Sequence, residues 1–305
     1  MKISTKLLFE RASNQMSSVQ NKLADSQAQL AQGKQIVKPS DSPDQAAVVQ
    51  RLKSLLSKQE SFTNSLATVR ARLENEDSTL KSATGLLVRA KEIAVQAAND
   101  TLSKVNRQAL GSELSGVRDQ LLSLANTRDT NGTYLFSGSR SKYPPFAAKN
   151  IGEPPIYRGD QTKMSIMVGE QRSIPINRTG SETFVSISRP GSTTAVGFFE
   201  VMDNLVDGIN SSNGDSIQRG IKEMTDLMNG LTLAHADIGT DMNVVDQQSS
   251  VIEDTVLNLK VTLSSVEDLD YASAITKMNQ QMLSLETAQS SFSKIAQLTL
   301  FNYLK

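Results

Sequence analysis

A chain of 305 residues with 32 basic and 32 acidic side chains has a formal charge of zero, so the overall charge implies no polyelectrolyte partner and nucleic acid is not expected as one. Cysteine and tryptophan are absent and aromatic residues make up 5%, so disulfides and thiol chemistry are excluded and thin helical packing is favoured over a large aromatic core. No apolar run approaches the roughly 18 residues of a membrane-crossing helix, and only Leu7, Leu8 and Phe9 form an apolar patch near the start, so neither membrane insertion nor a cleaved secretory signal is expected.

The eight prolines fall at 39, 43, 144, 145, 154, 155, 175 and 190, leaving 44–143 and 191–305 free of them. Proline breaks helix interiors, so the chain is expected to be helical at both flanks and irregular or β-rich in the middle. The first helix carries Phe9, Ala12, Met16, Val19, Leu23, Ser26 and Leu30 at alternating steps of three and four, a heptad stripe made to lie on another helix. Gly33 is placed to end it, and Asp41 or Ser42 to start the next with Pro43 at its first position.

From there a second stripe runs through Leu52, Phe62, Leu66, Val69, Leu73, Glu76, Leu80, Leu87 and Ala94 to Ala97. At 1.5 Å per residue this is a rod of roughly 75–80 Å, far beyond the usual three turns, and it reads as coiled coil or bundle. Ser103 can cap a shorter helix bearing Leu110, Leu114, Val117, Leu121 and Leu124. At Asn131-Gly132 the period changes to short alternating runs, Met164-Ile166-Val168, Ile174-Ile176 and Val185-Ile187, which predict a small β-rich domain. Helices resume around 198–209. A third long stripe, including Met224, Leu231, His235, Ile238, Val245 and Ile252, runs to a break at Asp268-Leu269-Asp270.

The terminal helix then gives Tyr271, Ile275, Met278, Met282, Leu285, Gln289, Phe292, Ala296, Thr299 and Tyr303. Its other faces are mostly Ser, Gln, Asn and Thr, with Lys277, Glu286 and Lys294 as the only charges between Asp270 and Lys305. A helix so poor in ion pairs is marginal alone and is expected to become stable only when neighbours cover it. The fold expected is mainly α: a long antiparallel helical bundle built from both chain ends, with an inserted β-rich domain. The expected divisions are 1–43 plus 267–305 as a terminal coiled-coil domain ordered on assembly, 44–133 plus 197–266 as a helical rod, and 134–196 as the insert. The expected assembly seam is Phe9, Met16, Val19, Leu23, Leu30, Ile275, Met278, Met282, Leu285, Phe292, Ala296 and Tyr303.

Chemistry is hard to find in this sequence. His235 is the single histidine and has no second His or Cys at ligand spacing, so it reads as structural. Asp41 and Asp44 are explained by capping, the helical methionines by core filling, and no phosphate, nucleotide or nucleophile motif is present. No catalytic residue, metal site or cofactor is expected.

With that order of elements in hand, the sequence resembles the bacterial flagellin family over nearly its full length. The likeness rests on the opening Met1-Lys2-Ile3-Ser4-Thr5 and on Gln32-Gly33-Lys34 followed by Lys38-Pro39-Ser40-Asp41-Ser42-Pro43. It continues through Tyr134-Leu135-Phe136-Ser137-Gly138, Tyr157-Arg158-Gly159-Asp160, Ile174-Pro175-Ile176-Asn177-Arg178-Thr179-Gly180 with Phe184, and Ile238-Gly239. Filament-forming members usually carry two acids and two alanines where this chain has Ser40-Asp41-Ser42-Pro43, and usually end in a Leu-Leu-Arg-like tail that this chain lacks. Those departures favour a junction subunit between the hook region and the filament over a filament subunit.

The resemblance implies an extracellular structural protein, exported unfolded through the flagellar type III channel without signal cleavage. It implies self-assembly into a ring between a preceding hook-associated protein and flagellin, and a cytosolic export chaperone on the C-terminal helix. Two readings from other classes stand beside it. A cytosolic coiled-coil scaffold would want charge-rich terminal helices, and a secreted adhesin or toxin would want a pocket or aromatic patch within 134–196.

Overall fold

The computed structural model describes residues 2–301 except 151, 192 and 193, with side chains described for 7 and for 9–294 apart from the same three. Among them are seven helices: α1 (Lys2–Gln32), α2 (Pro43–Ala97), α3 (Lys104–Ala125), the four-residue α4 (Gly180–Thr183), α5 (Phe198–Asn210), α6 (Gly214–Glu267) and α7 (Tyr271–Phe301). Six short strands lie between α3 and α5: β1 (Phe146–Ala147), β2 (Ile156–Tyr157), β3 (Ser165–Met167), β4 (Ser173–Pro175), β5 (Ile187–Ser188) and β6 (Ala195–Val196). The fold is therefore mainly helical, with α1 against α7, α2 against α6 and a small β insert. Two compact units form, one from 1–59 and 254–305, the other from 60–253. Their limits fall inside the continuous helices α2 and α6, not at the helix breaks.

In the larger unit, Leu66, Val69, Leu73, Leu80, Ala83, Leu87, Ala90, Ala94 and Ala97 of α2 are all buried, as a heptad stripe on a bundle helix should be. α6 runs antiparallel to α2: Lys91 meets Thr225 at 3.0 Å, Asp77 meets His235 at 2.8 Å, and Arg70 pairs with Asp246. His235 is therefore not packed in the apolar seam; it lies half-exposed beside a carboxylate at its margin. Ser103 caps α3 as its position predicts, accepting the Asn106 N–H at 3.2 Å. α3 and α5 are tied by Arg118 on Asp203 at 2.8 Å, and Arg189 beyond β5 grips the buried Glu223 of α6 at 2.6 Å.

Among the described residues the insert is three separate antiparallel ribbons, β1–β2, β3–β4 and β5–β6, with no shared sheet. Two- and three-residue ribbons cannot hold a domain by pairing alone. What holds it is an aromatic cluster: Phe136, Phe146, Phe184, Phe198 and Phe199 meet with ring centroids 5.1–6.3 Å apart, mostly edge to face. Five of the chain's nine phenylalanines are thus spent in one place. The low aromatic content describes the helices correctly and misdescribes the insert.

Candidate assembly surface

Candidate contacts with other subunits are built on the terminal unit. α1 and α7 run antiparallel, with Phe9 and Phe292 at 4.5 Å between centroids and a bridge between Lys34 and Asp268. The side of α1 that is least exposed consists of Ala12, Met16, Val19, Leu23, Ser26 and Leu30; Phe9 stays 49% exposed although it touches Phe292. On α7 the least exposed side is Ala274, Met278, Gln281, Leu285, Ala288 and Phe292. Among the described residues α7 is therefore covered along one side, the side that faces α1.

Met278, Leu285 and Phe292 thus turn towards α1, while Ile275 and Met282 are 45% and 49% exposed, and Tyr271 and Leu283 are exposed beside them. Met16, Val19, Leu23 and Leu30 lie along the α1 side of the contact. The Ala296 side chain and Tyr303 lie outside the described residues. Steric size explains the division on α7. Ala274 and Ala288, with Ser26 buried opposite, let two backbones come close, and at such positions Ile or Met would hold them apart.

The ends of α1 and α6 are pinned to each other. Gly33 takes φ +66°, ending α1, and a Cβ there would stand 2.6 Å from the Tyr271 hydroxyl. Gln35 N–H donates to the Glu267 carbonyl at 2.8 Å and Leu269 N–H to that of Gly33 at 3.0 Å. The Glu267 carboxylate accepts from Lys34 at 2.8 Å and Lys53 at 2.7 Å. Burial works to raise its pKa, and the two ammonium groups outweigh that and hold it below the ordinary glutamate value. Asp41 does not cap α2; it turns back to accept the Val37 and Lys38 N–H groups and fixes the connecting loop. Asp270 caps α7 through the Ala272 N–H at 3.0 Å and the Ser273 hydroxyl at 2.9 Å.

In the larger unit, the motif residues turn out to be fasteners of the insert. Tyr134 to Gly138 are all buried, and Gly138 takes φ +69° where Asp160 leaves no room for a Cβ. Tyr157 donates its hydroxyl to the Asp160 carbonyl at 2.7 Å. Asn177 accepts the Met164 N–H at 2.6 Å and donates to the Thr162 carbonyl at 3.0 Å. Arg178 reaches out to the helices, pairing with Asp241 on α6 and standing 3.7 Å from the fully buried Glu76 on α2. Arg72, on the other side of Glu76 at 3.7 Å, holds Asp129 at 3.3 Å and the Leu135 carbonyl at 3.2 Å. Burial raises the Glu76 pKa from 4.5 to about 7, against the pull of Arg72 and Arg178. In the sequence Glu76 shows only as a carboxylate at a position of the α2 stripe.

Among the described residues no group of acids or histidines could hold a metal ion, and no helix is long and apolar enough to cross a membrane. The family profile for the bacterial flagellin N-terminal helical region matches residues 3–141, and that for the C-terminal helical region matches 221–304. Flagellar hook-associated protein 3 of Escherichia coli strain K12 is 27% identical, with all of both chains aligned. Its counterpart from Salmonella typhimurium is 28% identical over 99% of each. The solved flagellar junction protein FlgL from Legionella pneumophila superposes with a TM-score of 0.61 at 17% identity, covering 72% of this chain and 100% of that one, a likeness of fold. Helical profiles that match on both sides of the insert, on a fold that brings those two regions together as α1 with α7 and α2 with α6, place this chain in the bacterial flagellin family.

Proposed function

We infer that this chain is the structural junction subunit that joins the flagellar hook region to the filament. The observation that carries the reading is the match to two hook-associated protein 3 relatives over at least 99% of each chain. The protein is a flagellar component outside the cell, it assembles with hook and filament components, and its family is structural, not enzymatic.

Its working parts are the terminal helices. Met16, Val19, Leu23, Leu30, Met278, Leu285 and Phe292 form the seam that ties α1 to α7, with Phe9 at its edge. Ile275 and Met282 face away from that seam and, with Tyr271 and Leu283 exposed beside them, offer apolar surface to another subunit. The terminal segments 1–43 and 267–305 act as one domain that reaches full order on assembly. Copies close into a ring whose neighbours are a preceding hook-associated protein on one side and flagellin on the other. Before that, the chain leaves through the type III channel without signal cleavage, with a cytosolic chaperone covering the α7 stripe. A filament-forming role is the rival within the family, and the two separate in a deletion strain. Loss of attached filaments, with flagellin shed into the medium, is the expected result. Filaments still attached at normal number would contradict the junction role.

A further inference from the structure

A cleft of about 760 Å³ opens in the insert between the 139–144 turn and the β1–β2 ribbon. Arg140, Lys142 and Arg158 line it, Tyr143 stands at its side, Pro144 and Ala147 supply apolar surface, and no carboxylate is among its lining residues. The two guanidinium groups are held by backbone: Arg140 donates to the Arg158 carbonyl at 3.3 Å, and Arg158 to that of Ala148 at 3.2 Å. Among the described residues none of the three cations has a carboxylate at ion-pair distance. Elsewhere in the same unit Arg70, Arg72, Arg89, Arg118, Arg178 and Arg189 each have one. Two acids of the same region are otherwise engaged: Asp160 accepts from the Ser139 and Thr162 N–H groups, and Glu153 from the Asn150 side chain. In a chain of zero formal charge this is a local, preorganised and uncompensated cluster of positive charge.

Tyr143 adds the second feature. It is 71% exposed, yet its backbone is fixed by donation to the Arg140 carbonyl at 3.0 Å and by the following proline. A flat aromatic face beside fixed cations suits a ring that is apolar on one face and bears a carboxylate at its edge. We propose that this cleft binds an acidic polysaccharide through its uronate units, with carboxylates on Arg140, Lys142 and Arg158 and a pyranose face on the Tyr143 ring. The location outside the cell rests on the junction reading; the binding itself does not.

The test is calorimetry on the full chain at low salt with trigalacturonate, its methyl ester, and a triglutamate peptide. Trigalacturonate is expected to bind saturably in the sub-millimolar range, on the order of a few carboxylate contacts. Lys142→Gln and Arg158→Gln should each weaken it by about ten-fold, and Tyr143→Ala by about three-fold or more, with the thermal melt of Tyr143→Ala unchanged. The ester and the peptide should bind far more weakly. No saturable binding up to about 5 mM, equal binding of acid and ester, or binding indifferent to Tyr143→Ala and matched by triglutamate would overturn the proposal. None of those outcomes touches the motility result, so the junction reading stands or falls separately.

Discussion

Leu80→Asp is expected to cripple folding of the 60–253 unit, whereas Leu285→Asp leaves the melt of that unit where it was. Leu80 is fully buried on the α2 stripe, where truncation of a leucine alone costs about 2–5 kcal/mol and a carboxylate adds its desolvation. A loss of at least about 4 kcal/mol in a unit of this size lowers the melting temperature by roughly 8–16 °C. Leu285 lies outside that unit, half-covered by α1, so its replacement loosens only the α1–α7 contact. Calorimetry resolves the two, and hydrogen exchange should show faster exchange confined to the terminal helices in Leu285→Asp. In the assembled state the same carboxylate would sit in a desolvated seam at a cost of several kcal/mol per subunit. A drop in the main melt equal to that of Leu80→Asp would mean that the terminal helices fold as one with the rest.

The second large effect concerns Arg178, which joins the insert to both α2 and α6. Arg178→Ala removes the Asp241 pair and leaves buried Glu76 with Arg72 alone, a class of change that costs about 3–5 kcal/mol. The loss should depend on pH. The folded pKa of Glu76 is raised, so the unfolded chain gives up this proton first as pH climbs. Its contribution to stability is full below about 4.5 and is lost as pH rises towards about 7, at up to about 1.4 kcal/mol per pH unit for one proton. Glu76→Gln should flatten that fall and be better tolerated at neutral pH than in acid. Arg178→Ala should hurt most above pH 7, where Glu76 is charged, and should cost less in the Glu76→Gln background. Additive effects across the pH range would show that the two side chains do not act as a pair.

Much of this was legible because heptad spacing and proline positions are local signals. The α1 stripe from Ala12 to Leu30 is the least exposed side of that helix, and the buried run from Leu66 to Ala97 is the α2 stripe. On α7 the sequence offers two stripes one residue apart. The bulkier one, through Ile275 and Met282, is the conspicuous one, while the contact with α1 uses Ala274, Gln281 and Ala288 because closeness favours small side chains. The insert was visible as strands, but its pairing into three ribbons and its phenylalanine cluster join residues from Phe136 to Phe199, and no spacing rule reports that. The role of Arg178 was hidden for the same reason: its partners Glu76 and Asp241 lie 102 positions before and 63 after it. The motif residues could be matched to a family, but only the folded chain shows them fastening the insert.

The central claim is that the terminal helices, and α7 in particular, carry assembly while the free subunit folds without their outer surface. Ile275 tests this most directly, because it is already exposed and its replacement leaves the α1 contact alone. In a strain whose own copy is Ile275→Asp, attached filaments should be lost and flagellin should accumulate in the medium, with the variant secreted at normal level and its melt unchanged. Filaments attached in normal number to cells secreting that variant would contradict the account.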